Sequence, residues 1–159
     1  MYQLMAARLS HLNEIYRLCL KSLKAGPEGS LPFAKHKIKN VIHELITNPH
    51  QLAVVAIKDG KVKGLVLGMV SSHAYAEGVT AEDIALYVSP CLRGTKCFND
   101  LAEVYADWCD RIPNLLVSTF GISQLNATTQ VLDKTYRGMG YKKASVTYLK
   151  LGEKHERCS

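Results

Sequence analysis

The sequence has no Cys-x-x-Cys pair and no Cys/His spacing suited to zinc, although its 159 residues include five cysteines, Cys19, Cys91, Cys97, Cys109 and Cys158. An odd number without ligand spacing argues against a disulfide framework and a structural metal site, and for a reducing compartment. No run approaches the roughly 18 apolar residues of a membrane span. Arg8 and His11 interrupt the N-terminal stretch, so it has no signal-peptide core. A cytoplasmic protein without a membrane partner is the expectation. Basic residues are not interleaved with aromatics in a stripe, which disfavours nucleic acid as a partner despite a net charge of +6. The six histidines are scattered, and a lone His43 or His73 reads as a surface or capping residue rather than a ligand or base.

What is present is ordinary for a soluble domain: 47% hydrophobic and 21% charged residues. Residues 1–152 are expected to form one domain, and 153–159 a polar, frayed tail. The positive excess favours an anionic ligand or an acidic partner. Its local clusters are Lys35-His36-Lys37-Ile38-Lys39, either a solvated helix face or a contact for acidic matter, and Lys142-Lys143.

Tyr2 to Ala7 is a short apolar opening. Ser10 suits the N-cap of a helix built on Leu12, Ile15, Tyr16, Cys19 and Leu23, which Gly26, Pro27 and Gly29 end. A second helix is expected from Pro32 to Asn48, stopped by Pro49. Gln51 to Ile57 reads as a strand, and Lys58-Asp59-Gly60-Lys61 as the turn to a second arm from Val62 to about Ser71. Gly64 and Gly68 in that arm mark a bulge or a close backbone approach. After a loose stretch from His73 to Gly78 comes a strand over Ile84–Val88. A helix follows from about Arg93 to Arg111, then a strand over Leu115–Thr119, a helix from Ala127 to Met139, and a closing strand from Lys143 to Leu151.

A hairpin followed by strand-helix-strand crossovers requires a mixed sheet. The fold class is therefore α/β, or α+β by some schemes: a mostly antiparallel sheet with a central parallel portion and about four flanking helices. Ligands of such sheets sit beyond the carboxyl ends of parallel strands. One junction there carries two cations, Val88-Ser89-Pro90-Cys91-Leu92-Arg93-Gly94-Thr95-Lys96. A helix start offers unpartnered N–H groups and a partial positive charge, so phosphate is its natural ligand.

Leu86-Tyr87-Val88-Ser89-Pro90-Cys91-Leu92-Arg93-Gly94 is similar to the strand ending Val-x-Pro-x-x-Arg-Gly of the GCN5-related N-acetyltransferase family. Tyr136-Arg137-Gly138-Met139-Gly140-Tyr141 resembles that family's Tyr-x-x-x-Gly-Phe helix ending. The likeness runs from about Tyr2 to Leu151. It implies transfer of an acetyl group from acetyl-CoA, as co-substrate, to a primary amine of a small molecule or protein, without a metal. Acetyl-CoA and the amine acceptor are the implied partners, and a homodimer is common in the family.

On that resemblance the backbone of Leu86, Tyr87 and Val88 would pair with the pantetheine arm. Arg93, Gly94, Thr95, Lys96, Cys97 and Phe98 would wrap the pyrophosphate. Asn126 would contact the arm, although the family's helix asparagine aligns nearer Thr129. The family loop reads Arg-Gly-x-Gly-x-Gly/Ala, whereas Lys96 and Phe98 occupy its last two small positions here. Either Lys96 adds a cation beside the phosphates, or the loop is too crowded for the cofactor.

The attacking amine must be neutral and the departing thiolate must gain a proton. Glu82 and Asp83 precede the strand flanking the thioester, and as neighbours they point to opposite faces. Glu82 has the more family-like position for the base, against a solvated strand-start carboxylate. Tyr136 is the implied donor to the sulfur, against a tyrosine packed between helix and sheet. Cys91 and Cys97 read as packing residues, although a thiol at a helix start can have a lowered pKa. The two early helices, residues 26–32 and residues 73–78 would shape the acceptor side. A non-catalytic binding or assembly module of the same fold is the alternative.

Overall fold

The apolar runs in the middle of the chain supply side chains to both of their faces, as a sheet covered on two sides requires. In the computed structural model, which describes residues 1–122 and 128–152, they form a five-stranded sheet. Its strands are β1 Gln3–Ala6, β2 Leu52–Lys58, β3 Lys61–Ser72, β4 Val79–Val88 and β5 Leu115–Thr119, and they lie side by side in chain order. Among the described residues four α-helices accompany the sheet: α1 Leu12–Ala25, α2 Lys35–Thr47, α3 Cys97–Cys109 and α4 Thr128–Gly138. Strands β1 to β4 pair antiparallel, and β4 pairs parallel with β5. The fold is thus the mixed, mostly antiparallel α/β sheet expected, with its parallel pair at the β5 end rather than in the centre.

Alternation along β2 and β3 feeds two cores. Ala56 and Val66 pack with Leu101, Tyr105 and Cys109 of α3, while Val55, Leu65 and Leu67 pack with Ile15 and Leu18 of α1 and Ile42 and Leu45 of α2. Full burial of each large aliphatic side chain stabilises the fold by about 1.5–3 kcal/mol. Asp59 and Gly60 both have positive φ, 52° and 71°, as the primed hairpin turn of an Asp-Gly pair demands. Both glycines singled out in β3 lie at irregularities. The β2–β3 register shifts opposite Gly64, and the β3–β4 register shifts between Leu67 and Gly68. A Cβ on Gly68 would stand 2.8 Å from the Trp108 ring.

Several boundaries differ from the sequence expectation. Ser10 does not cap α1: a 3-10 turn over Leu9–His11 precedes the helix, and His11 Nδ1 accepts the Arg8 N–H at 3.1 Å instead. Helix α2 starts at Lys35 rather than Pro32. Strand β4 starts at Val79 rather than Ile84, because β3 runs on to Ser72 and offers partners as far as Ser72↔Val79. Residues 141–152 form no strand, so the closing strand expected over Lys143–Leu151 is corrected: its alternating side chains are exposed, Val146 by 61% and Tyr148 by 94%. Alternation marks a residue run that can join a sheet, but the hydrogen bonds come from a neighbour. The expected contact Asn126 and the tail 153–159 lie outside the described residues.

Candidate functional site

Strands β4 and β5 pair only from Val79↔Leu115 to Glu82↔Thr119, whereas β3 continues beside β4 as far as Gly64↔Val88. Strand β5 ends at Thr119, so from Asp83 to Val88 the outer edge of β4 has no strand partner among the described residues, at the carboxyl end of the parallel pair. A bulge at Ile84 lies at the same level, since Gly68 pairs with Asp83 and Leu67 with Ala85. It reverses the side-chain alternation. Leu86 and Val88 pack into the α3 core, and Ala85 and Tyr87 into the α1–α2 core. One group on the open edge is engaged: Arg93 Nε donates to the Val88 carbonyl at 3.5 Å.

After β4 the chain makes a 3-10 turn over Pro90–Leu92, and α3 starts at Cys97, four residues later than expected. The cause is local. Arg93 is extended at ψ 143°, and Gly94 has φ 78°, a left-handed conformation that ends helical geometry. Three of the expected phosphate-facing amides are spent inside the loop: Arg93 N–H on the Pro90 carbonyl at 3.2 Å, Thr95 N–H on the Leu92 carbonyl at 3.3 Å, and Cys97 N–H on Thr95 Oγ1 at 3.2 Å. Thr95 Oγ1 itself donates to the Leu92 carbonyl at 2.6 Å. The amides of Gly94, Lys96, Phe98 and Asn99 have no hydrogen-bond partner among the described residues. Those of Phe98 and Asn99 are the orphan donors of a helix start.

Neither atypical loop residue lies as the sequence alone suggested. Lys96 is 85% exposed and pairs with Asp100 at 3.7 Å, so its cation is shared with a carboxylate one turn on. Phe98 packs against the α3 core, 6.4 Å from the Tyr136 ring. Asp100 also accepts the Tyr2 hydroxyl at 2.5 Å, which ties β1 to α3 and pushes the Tyr2 phenol up to about 12. Cys97 is fully buried, and burial pushes its thiol up to about 11, opposite to activation at a helix start. Cys91 is exposed, so the packing reading holds for Cys97 and fails for Cys91.

At the end of β5 an aromatic group joins α3, β5 and α4. The Phe120 ring stacks on Tyr136 at 4.3 Å and 7°, and lies 4.6 Å from Tyr105, whose hydroxyl donates to the Thr119 carbonyl at 2.9 Å. Tyr136 is 8% exposed, and burial, then the nearby Asp83, raises its phenol far above the usual range. Asp83 faces this group, and its Oδ1 accepts the Gly121 N–H at 2.9 Å. Desolvation pushes Asp83 up to about 7, against the lowering effect of hydrogen bonds from the Gly121 amide and its own. Glu82 is exposed on β4.

No protein-family model and no curated protein matches the sequence. Solved structures do match over nearly the whole chain. A predicted acetyltransferase from Clostridium acetobutylicum, solved with acetyl-CoA, superposes with a TM-score of 0.71 at 12% identity, covering 99% of each chain. Glucosamine-6-phosphate N-acetyltransferase from Arabidopsis thaliana gives 0.68 at 14% identity, covering 95% of this chain and 98% of its own. Ribosomal-protein-alanine N-acetyltransferase from Brucella melitensis biovar Abortus 2308 gives 0.66 at 15% identity, covering 96% and 100%. The chain has the GCN5-related N-acetyltransferase fold.

Within that GCN5-related fold, the structure brings together Leu86, Tyr87 and Val88 on one open edge, with Arg93 to Phe98 just beyond it. Glu82 and Tyr136 belong to different elements, and Tyr136 shares its surroundings with Asp83. Two polar groups were missed. The Asn99 amide follows from the late start of α3, which the left-handed preference of Gly94 signals. The Gly121 amide beside Asp83 has no signal in the sequence, because 38 positions separate the two residues.

Proposed function

We propose that this protein moves an acetyl group from acetyl-CoA to a primary amine of a small molecule or protein. The observation that carries the reading is the β4 edge from Asp83 to Val88, left unpaired beside four partnerless amides at the start of α3. That set fits the cofactor chemically: an extended amide-bearing arm needs strand-like donors and acceptors, and a pyrophosphate needs N–H groups at a helix start. The solved acetyl-CoA complex of the Clostridium acetobutylicum protein supports it. Bound acetyl-CoA supplies the acetyl group as an activated thioester.

In this reading the backbone of Leu86, Tyr87 and Val88 orients the arm, Arg93 leaving the Val88 carbonyl to meet phosphate. The amides of Gly94, Lys96, Phe98 and Asn99 hold the pyrophosphate. Glu82 takes a proton from the acceptor ammonium, directly or through water, so that a neutral amine attacks. Tyr136 donates its phenolic proton to the departing sulfur and regains one from the attacking nitrogen as the amide forms. Its burial disfavours the phenolate, so the two transfers must be concerted.

The second reading, a binding module without turnover, is favoured by the internal engagement of both loop cations, Arg93 on Val88 and Lys96 on Asp100. Calorimetry with acetyl-CoA, paired with an assay of thioester loss over a panel of amines, separates the two. Binding with turnover is the expected outcome. Binding without thioester loss supports the module, and no heat at high micromolar acetyl-CoA overturns the enzyme reading.

A further inference from the structure

Beyond Glu82↔Thr119 the main chain no longer joins β4 to β5, yet the end of β5 is held by three side chains. Tyr105 of α3 donates to the Thr119 carbonyl, Tyr136 of α4 stacks on Phe120, and Asp83 of β4 accepts the Gly121 N–H. Only the last replaces a strand-to-strand hydrogen bond, and it does so at the first residue past the last paired one. We propose that Asp83 is a positioning residue that clasps the end of β5 to β4, and that losing its charge loosens the clasp.

A charged acceptor holds an N–H roughly twice as strongly as a neutral one. The groups acting on Asp83 are Glu82 of β4, Tyr105 of α3 and Tyr136 of α4, with no cation among the described residues. Gly68, its partner on β3, has no side chain to contribute. Only two backbone amides, those of Gly121 and of Asp83 itself, compensate the half-buried charge, so desolvation prevails and the carboxyl takes up a proton close to neutral pH. Across that range the bond between Asp83 and Gly121 changes from a charged to a neutral clasp. The consequence for ligand affinity rests on the acetyl-CoA reading above; the clasp does not.

The test begins with the full chain and no ligand. The Gly121 amide resonance is followed against pH, and its hydrogen exchange is compared among the wild type, Asp83→Asn and Asp83→Ala. The wild-type resonance should titrate near neutral pH and that of Asp83→Asn should not. Exchange should be about tenfold faster or more in Asp83→Ala and intermediate in Asp83→Asn, which keeps an acceptor but not the charge, and full restoration by Asp83→Asn would overturn the role of the charge. A wild-type resonance indifferent to pH, or an exchange rate unchanged by Asp83→Ala, overturns the clasp. Acetyl-CoA affinity should vary several-fold on either side of neutral pH in the wild type and stay flat in Asp83→Asn. Equal pH dependence in both would remove the link to the proposed site. If the wild type binds no acetyl-CoA, the proposed function fails while Gly121 still decides the clasp.

Discussion

Gly68 shows how tightly one position can be specified. It pairs with Asp83 at the bulge, and a Cβ there would lie 2.8 Å from Trp108 and 3.1 Å from Tyr105. The Tyr105 ring belongs to the aromatic group at the end of β5 and Trp108 lies 5.6 Å from it, so neither can move without cost. Gly68→Ala should destabilise the protein by about 1–3 kcal/mol, the range for overpacking a filled core. Gly138, at the end of α4, has no positive φ, and a methyl group added there would meet nothing within 4 Å. Gly138→Ala should therefore be neutral or stabilising by up to about 1 kcal/mol. Urea midpoints of the two variants check the contrast, and equal effects would contradict the crowding at Gly68.

Among the elements, the loop between β4 and α3 has the most to gain from a single conformation. Gly94 has φ 78° with open space around its Cα, so Gly94→Ala meets no clash and suffers only the left-handed penalty, about 1–2 kcal/mol. That cost should appear in denaturation and, because the strained loop carries the partnerless amides, as weaker acetyl-CoA binding. Weaker binding without lost stability would mean the loop relaxes its path instead.

Much of this element was readable in advance. The motif ending in Arg93-Gly94 located the turn, and the apolar spacing of Leu101, Ala102, Tyr105 and Cys109 located α3. The start of the helix was not, because Pro90 suits a 3-10 turn and the Thr95 hydroxyl takes the Cys97 amide that a continuous helix would have left free. Likewise the Asp-Gly hairpin and the bulge glycines were legible, being set by backbone chemistry within a few residues. The parting of β4 from β5, and the meeting of Asp83 with Gly121, depend on tertiary register and had no local signature. The run Lys143 to Leu151 shows the converse, a strand-like pattern that finds no ladder.

For the whole molecule, the half-buried carboxyl at Asp83 makes stability depend on pH. Its folded-state pKa, about 7, lies above its ordinary value near 3.8. The folded protein thus holds a proton that the unfolded chain has released. The stability gained by burying the neutral acid is complete below about pH 4 and is lost as pH rises through about 7. Asp83→Asn stays neutral throughout, so it should gain on the wild type progressively between those values and hold a constant lead above them. Denaturation midpoints measured in steps of pH test this, and a gap that does not change with pH would remove Asp83 as the cause.

Because the strands lie side by side in chain order, the sheet has an inherent sequence of assembly. A tight turn joins β2 to β3 and a short loop joins β3 to β4, whereas β1 must close over α1 and α2, and β5 must wait for α3. Loop-closure entropy grows with the length enclosed, so the three-strand meander is the cheap part to form and β5 a later arrival. The proposed site lies where the early meander meets that late strand. Detachment of β5 would open the site through a local excursion while the rest of the sheet stays folded.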